Sequence, residues 1–429
     1  MLIYEIIDKK RRKEKLLKKE IEWVVENYVE GNILEEQMSS LLMAICLNGM
    51  DFNESYYLTK AMQNTGKTYS FDFDIVDKHS TGGVSDSTTL ILSPILALAG
   101  LKVAKMSGRS LGTTGGTIDK LSVFKNYNFD IDQEKFKEII QKVGVSIISQ
   151  KDDIALGDKK IYALRDKTAT VKSIPLIASS IMSKKLACGS KILLLDVKYG
   201  KGALMKNIKD AMQLARTMVK IGNMNGTKTW AVLTNMNTPL ADGVGSAMEI
   251  YSVVDAMNGK KSYLRKISLE LASLLYQMAN NCSYKKAKKV ITNIINQPDL
   301  VKGKLSEMID AHGGDYEYLQ KPEKLLNAKN CYELKSSKSG FVNVIDALDV
   351  AKYVMVLEEG LSDERKLFQG ILLNVQINSR VKNGDVLAKI YTDKDLSEKD
   401  IQNLEKAIVI ESKRIKVKPL IYKVIKNVK

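Results

Sequence analysis

Two neighbouring segments hold most of the residues that could do chemistry. Residues 77–90 read "DKHSTGGVSDSTTL" and residues 105–121 read "KMSGRSLGTTGGTIDKL". A bound oxyanion needs backbone N–H groups freed by glycine, hydroxyl donors and one or two cations converging at a helix N-terminus. The first segment offers Lys78, Ser80, Gly82, Gly83, Ser87 and Thr89; the second offers Lys105, Ser107, Gly108, Thr114, Gly115, Gly116 and Thr117. Each therefore has the composition of an anion cradle, although such clusters taken singly are usually plain turns. Neither matches GxxxxGK[ST] or GxGxxG, so a nucleoside triphosphate or a dinucleotide is not indicated. His79 sits inside the first cradle and can donate a hydrogen bond or a proton to whatever the anion attacks.

These loops need elements to hold them. From about residue 71, short apolar runs ("FDFDIV", "KVAKM", "VSIIS", "ILLLDV", "TWAVLT") alternate with helical stretches ("STTLILSPILALAG", "DQEKFKEIIQKVG", "IKDAMQLARTMVKIG"). That alternation predicts a parallel sheet with crossover helices, which binds ligands where its strands end and its helices begin. Upstream, "KKEIEWVVENYVEG", "LEEQMSSLLMAICLNGM" and "NESYYLTKAMQNTG" have helical spacing, the last with Asn53 as expected N-cap. The fold class expected is α/β with a helical domain: a helical domain and a parallel-sheet α/β domain across a cleft, plus a smaller C-terminal α+β domain. The helical domain is expected over 1–68, joined by an insertion at 160–188, the α/β domain over 70–330 and the C-terminal module over 331–429. Its "VKNGDVLAKI" segment carries a turn at Asn383 and Gly384.

Composition excludes several functions. The net charge of +16 comes from lysines spread along the whole chain without interleaved aromatics, so no nucleic-acid partner is expected. Cys46, Cys188, Cys282 and Cys331 lie far apart, and only two histidines, His79 and His312, are present, so a zinc site is not expected. No apolar run has membrane-spanning length, and the opening apolar patch precedes its charges, the reverse of a secretory signal. A cytoplasmic protein without a membrane partner is expected. The run "KKRRKEKLLKK" reads as a solvated helix face, and His312 as a loop or helix-end residue.

Four ordered motifs, "DKHSTGGV", "KMSGRSLGTTGGTIDKL", "YALRDKTATVKSIPLIASSIMSKKLA" and "LLLDVKYGKGAL", resemble those of the thymidine phosphorylase and pyrimidine-nucleoside phosphorylase family, and the likeness extends over essentially the whole chain. The resemblance implies a homodimer and reversible phosphorolysis of uridine, thymidine or deoxyuridine to free base and α-(deoxy)ribose 1-phosphate. Small-molecule nucleoside and phosphate would be its partners. It implies that Lys78, Ser80, Thr89, Lys105, Ser107 and Thr117 hold phosphate, while His79, Arg165, Ser180 and Lys184 hold the base, with His79, Arg165 and Lys184 as the catalytic groups. These types suit the reaction. Phosphate is already a nucleophile, and the difficulty lies in expelling a pyrimidine anion, which cations and a hydrogen-bond donor stabilise.

Each role has a plainer rival. Arg165 could pair with Asp166 or Asp153, and of the adjacent Lys184 and Lys185, about 100° apart on a helix, only one is expected to face the cleft. The family usually has glycine at Ser85 and Ser110, a histidine or similar residue at Thr113, and glutamate at Ser122. It has "GAGAF" or "GSGAF" where this chain reads "GKGAL". No cofactor or metal is expected. A potassium site near Ser85, Ser87, Leu240 and Gly243 is disfavoured, because the acidic side chain it would need stands as Ser252. A phosphoribosyltransferase of related fold, or a catalytically weakened nucleoside- or phosphate-binding homologue, are the alternatives.

Overall fold

The computed structural model describes residues 1–109, 115–151 and 153–428. Ser110, Thr113 and Thr114 of the second glycine-rich segment lie outside the described residues. The chain opens with four helices, α1 (Ile3–Arg11), α2 (Lys18–Glu30), α3 (Glu35–Asn48) and α4 (Phe52–Asn64). Apolar residues at helical spacing, Ile21, Val24, Val25 and Tyr28 in α2, give them a shared buried face. Helix α4 starts earlier than the sequence suggests: Asp51, not Asn53, is the cap, its carboxylate accepting from Glu54 N while Glu54 accepts from Asp51 N. The basic run is not simply a solvated face either. Lys10 is buried and pairs with buried Glu54 at 2.8 Å, tying α1 to α4.

Strands and helices then alternate: β1 (Ile75–Ser80), α5 (Thr88–Leu98), β2 (Lys102–Ser107), α6 (Thr117–Leu121), α7 (Gln133–Val143) and β3 (Val145–Ser149). Two helices interrupt, α8 (Leu156–Lys167) and α9 (Ile174–Ala187), before β4 (Ile192–Tyr199), α10 (Ile208–Met224) and β5 (Lys228–Asn235). Helix α9 packs on α4, and α8 on α2 and α4, so these two join the N-terminal bundle. Further on come β6 (Gly243–Val244), α11 (Ser246–Met257), α12 (Tyr263–Asn280), α13 (Tyr284–Ile295) and α14 (Pro298–Ala311). The remaining strands are β7 (Asn330–Lys335), β8 (Gly340–Ile345), β9 (Gly370–Leu373), β10 (Arg380–Val381), β11 (Val386–Thr392), β12 (Ile408–Glu411) and β13 (Ile421–Ile425).

Among the described residues the main sheet has six strands in the order β13-β5-β4-β1-β2-β3. Five are parallel, and β13 closes the edge antiparallel to β5. The last strand of the chain therefore belongs to the central sheet, and β6, between β5 and α11, pairs with β9 of the C-terminal module. Helices cover both sheet faces, which accounts for the apolar residues of β2 to β5, whereas β1 is "IVDKHS", with only its first two residues apolar.

The bundle and the sheet domain are joined by three stretches of backbone in close contact. Lys67 N donates to the Asp153 carbonyl at 2.7 Å, and Tyr69 N to the Ala187 carbonyl at 2.8 Å. Gly189, at φ +75°, lies where a Cβ would meet the Tyr69 carbonyl at 2.3 Å. Gly189→Ala is expected to destabilise the protein by at least about 2 kcal/mol, through both the left-handed backbone and the clash with main chain. A thermal midpoint within a degree of the parent would contradict this.

Candidate functional site

Parallel register puts the ends of β1 and β2 side by side, with Ile75 opposite Lys102 and Val76 opposite Val103. The first glycine-rich segment leaves β1 and leads into α5; the second leaves β2 and leads into α6. Lys105 reaches across to donate to the Lys78 carbonyl at 2.7 Å, and Lys120 of α6 donates to the Asp86 carbonyl at 2.8 Å. The two loops are thus bonded to each other. Ser80 donates to Asp86 at 2.5 Å and accepts from Gly82 N at 3.2 Å. Thr89 lies in the first turn of α5, Thr117 opens α6, and Ser107 ends β2 beside Ser149.

Lys78 belongs to β1 rather than to the loop that follows, and it is buried. Its ammonium donates to Thr88 Oγ1 at 2.7 Å and stands 3.4 Å from Asp196 and 3.6 Å from Asp86, all buried. Lys198 closes this cluster, 2.7 Å from Asp196 and 3.6 Å from Asp86. Burial alone would raise the Asp86 carboxyl, but Lys198, Lys78 and Lys120 outweigh it and hold the group well below its ordinary range. Lys198 keeps its proton against burial because Asp196 and Asp86 face it. The sequence reading missed this floor of paired charges. Its signal was present: Asp196 and Lys198, two apart in a strand buried on both faces, must point the same way and find partners inside.

A second cluster lies on α8 and α9. Arg165 is buried, and its guanidinium donates to the carbonyls of Thr170 at 3.3 Å, Leu176 at 3.2 Å and Val171 at 2.8 Å. It pairs with neither Asp166 nor Asp153, and instead braces the turn that leads into α9. Three of its five N–H groups are used, and its charge lies 5.5 Å from the Tyr162 ring centre. Lys184 bonds Asp158 and, at 3.0 Å, Ser180 Oγ, with the same Tyr162 ring 5.8 Å away. Arg165, Ser180 and Lys184 are therefore brought together, with Tyr162 and Asp158 as companions the sequence reading did not single out. Lys185, set aside there as facing away, is buried and reaches the sheet domain at Asp77, 2.9 Å away.

His79 follows Lys78 in β1 and is partly exposed. Burial is the largest influence on its ring, followed by the charges of Lys185, Lys105, Lys78 and Lys184, and together they push the imidazole well below its usual range. Cations of the bundle and of the sheet domain thus act on one neutral histidine. Burial likewise pulls the Lys105 ammonium down to about 7, opposed by Asp77 and aided by Lys185 and Lys78. His312 lies elsewhere: it caps the end of α14, stacks on Tyr127 at 4.5 Å and bonds Ser146 and the Asn128 carbonyl.

Of the departures, Ser85 does take the left-handed backbone, at φ +58°, a strain of about 1 kcal/mol. Its hydroxyl donates to the Gly243 carbonyl at 2.5 Å, and Gly243 N donates to Ser252 Oγ at 2.8 Å. Ser122 ends α6 with its hydroxyl on the Ile118 carbonyl.

Comparison with known proteins places the architecture. Residues 72–297 match the model of the "Glycosyl transferase family, a/b domain" and residues 4–66 that of the "Glycosyl transferase family, helical bundle domain". A pyrimidine-nucleoside phosphorylase of Staphylococcus haemolyticus is 40% identical over 99% of this chain and 100% of its own length. One of Geobacillus stearothermophilus is 38% identical over 98% and 99%. Among solved structures, anthranilate phosphoribosyltransferase from Thermus thermophilus superposes with a TM-score of 0.60 at 14% identity, covering 72% of this chain and 99% of that one, a likeness of fold. No helix among the described residues is long and apolar enough to cross a membrane.

Proposed function

The chain belongs to the pyrimidine-nucleoside phosphorylase family, and from that premise we propose how its residues divide the phosphorolysis of a pyrimidine nucleoside. Phosphate oxygen attacks the anomeric carbon while the bond from that carbon to the base nitrogen breaks. The bonding pair leaves with the base, which takes up the proton that hydrogen phosphate gives up, and the products are free base and α-(deoxy)ribose 1-phosphate.

Phosphate lies over the joined ends of β1 and β2, held by Ser80, Thr89, Ser107 and Thr117 and by the Lys105 ammonium. Lys78 supports it from below by fixing Thr88 at the start of α5. The base lies against α8 and α9, where Ser180 and the two unused N–H groups of Arg165 hold its carbonyl oxygens. Lys184 faces the charge that develops as the base departs. His79, neutral at pH 7, donates a ring N–H to a base carbonyl rather than acting as a cationic acid. The observation that carries this reading is the pairing of two donor sets across one junction: Lys105 and Lys120 bond the two glycine-rich segments together, Lys184, Ser180 and Asp158 cluster on α8 and α9, and Lys185 of α9 bonds Asp77 of β1.

Purified protein given uridine, thymidine or deoxyuridine should release base only when phosphate is present, with one sugar phosphate formed per base. Base released without phosphate would mark a hydrolase and overturn the proposal. No resident cofactor takes part, and the Ser85 and Ser252 hydroxyls hold the Gly243 backbone where a monovalent cation would otherwise bind. The rate should be the same with tetramethylammonium as with potassium; dependence on potassium would contradict that part.

The protein acts in the cytoplasm as a homodimer. Helices α1 and α3 pack together and leave Leu2, Tyr4, Met43 and Leu47 exposed, Tyr4 and Leu47 by 76% and 77%. Such a face on a soluble domain suits burial against a second copy. Light scattering should give twice the mass of one chain, and Leu47→Glu should lower it to one; a monomeric parent would refute the pairing.

A further inference from the structure

Lys185 follows Lys184 on α9, yet its side chain takes another course. Its ammonium donates to Asp77 Oδ2 of β1 and to the Met106 carbonyl of β2, both at 2.9 Å. Its side chain is 5% exposed, and that of Asp77 is fully buried. The other Asp77 oxygen, Oδ1, accepts no hydrogen bond among the described residues and lies 3.9 Å from the Lys105 ammonium. One buried carboxylate therefore stands between two buried ammoniums, one delivered by the helical bundle and one rising from the sheet. A single negative charge cannot compensate both equally, and whatever moves it toward one cation takes it from the other. The charged groups acting on Lys105 are Asp77 and Lys78 from β1, Lys185 from α9 and Asp86 from the loop before α5.

We propose that Lys185 and Asp77 are positioning residues for Lys105. The bundle's ammonium and the strand's carboxylate together fix the place and the charge of the cation beneath the anion cradle, so that grip on an oxyanion depends on how α9 is seated against the sheet. This rests on the cradle assigned under the proposed function, but its test reads binding rather than turnover.

Sulfate, whose charge is constant over the range, is titrated calorimetrically into the full chain from about pH 6 to about pH 9. In the parent, affinity should fall about tenfold per unit above about pH 7, as Lys105 loses its proton. Lys185→Met removes a like charge, and the midpoint should move to higher pH. Asp77→Asn removes the compensating charge, and it should move to lower pH. Each shift should be at least half a unit, about threefold in sulfate affinity on the alkaline side. Lys185→Arg should keep the parental midpoint. Unmoved midpoints, shifts in the same direction, or no sulfate binding by the parent would overturn the proposal. If Lys185→Met does not fold, Asp77→Asn decides alone, and an unmoved midpoint there rejects the idea. Uridine turnover measured on the same samples separates the two readings: opposed midpoint shifts without phosphate-dependent base release would leave this inference standing and the functional reading refuted.

Discussion

Lys184→Met is expected to lower kcat/KM for uridine phosphorolysis by about a thousandfold, about 4 kcal/mol of transition-state stabilisation, with sulfate affinity changed by less than about twofold. The asymmetry follows from where the ammonium stands. It bonds Ser180 and Asp158 on the bundle side, beside Tyr162, and these partners all belong to α8 and α9 rather than to the two glycine-rich loops. In the proposed division of the reaction its charge is needed most when negative charge appears on the departing base, so the loss should fall on the chemical step. The substitution also leaves the buried Asp158 carboxylate without its cation, and some stability should go with the activity. Adding Asp158→Asn to Lys184→Met removes that orphaned charge. The double variant should regain the parental thermal midpoint and none of the activity. If both return together, Lys184 serves the fold; if sulfate affinity falls in step with kcat/KM, the division of the cleft into anion and base sides is wrong.

Lys198→Met is expected to cost about 3 to 5 kcal/mol of stability and to lower the thermal midpoint by roughly 5 °C. Lys198 and Asp196 are completely buried, and Lys198 also faces Asp86, so its removal leaves two carboxylates to share Lys78 beneath the first loop. The remaining ammonium would be drawn from Thr88, and the start of α5 would lose its anchor. The pH dependence has a definite direction. The Asp86 carboxyl is depressed in the folded protein, so its contribution to stability is complete above the ordinary carboxylate value of 3.8 and is lost as pH falls through the folded value. In Lys198→Met that depression shrinks, and the acid unfolding transition should move upward in pH. Lys198→Met with Asp196→Asn should recover much of the loss. A single variant that melts within two degrees of the parent would show that the buried cluster is not what holds the cradle.

Much of this arrangement is legible in the amino-acid sequence. Four of the apolar runs, "KVAKM", "VSIIS", "ILLLDV" and "TWAVLT", lie in β2 to β5, while only Ile75 and Val76 of "FDFDIV" are strand, because β1 runs on through Asp77, Lys78, His79 and Ser80, whose buried charges find partners inside. Gly82 and Ser87 sit between β1 and α5, and Thr89 in the first turn of α5, as a strand, glycine-rich loop and helix in that order require. What could not be read depends on pairings distant in sequence. The tail strand β13 crosses from the C-terminal module to the edge of β5, and nothing local in "PLIYKVI" distinguishes that edge from another. Lys184 and Lys185 illustrate the limit at the site: helical geometry separates their directions, but only the packing of α9 against β1 and β2 gives the second one a carboxylate to meet. Arg165 is similar, since two of its three carbonyl partners, Thr170 and Val171, belong to a turn whose path no periodicity describes.

A crystal structure with phosphate and a pyrimidine base bound together tests the central claim most directly. Phosphate should lie where β1 and β2 end, within hydrogen-bond distance of Ser80, Lys105 and Ser107, and the base should meet Arg165, Ser180 and Lys184 with His79 on a base carbonyl. Phosphate seated on the bundle, or a base that leaves Arg165 and Lys184 untouched, would contradict it.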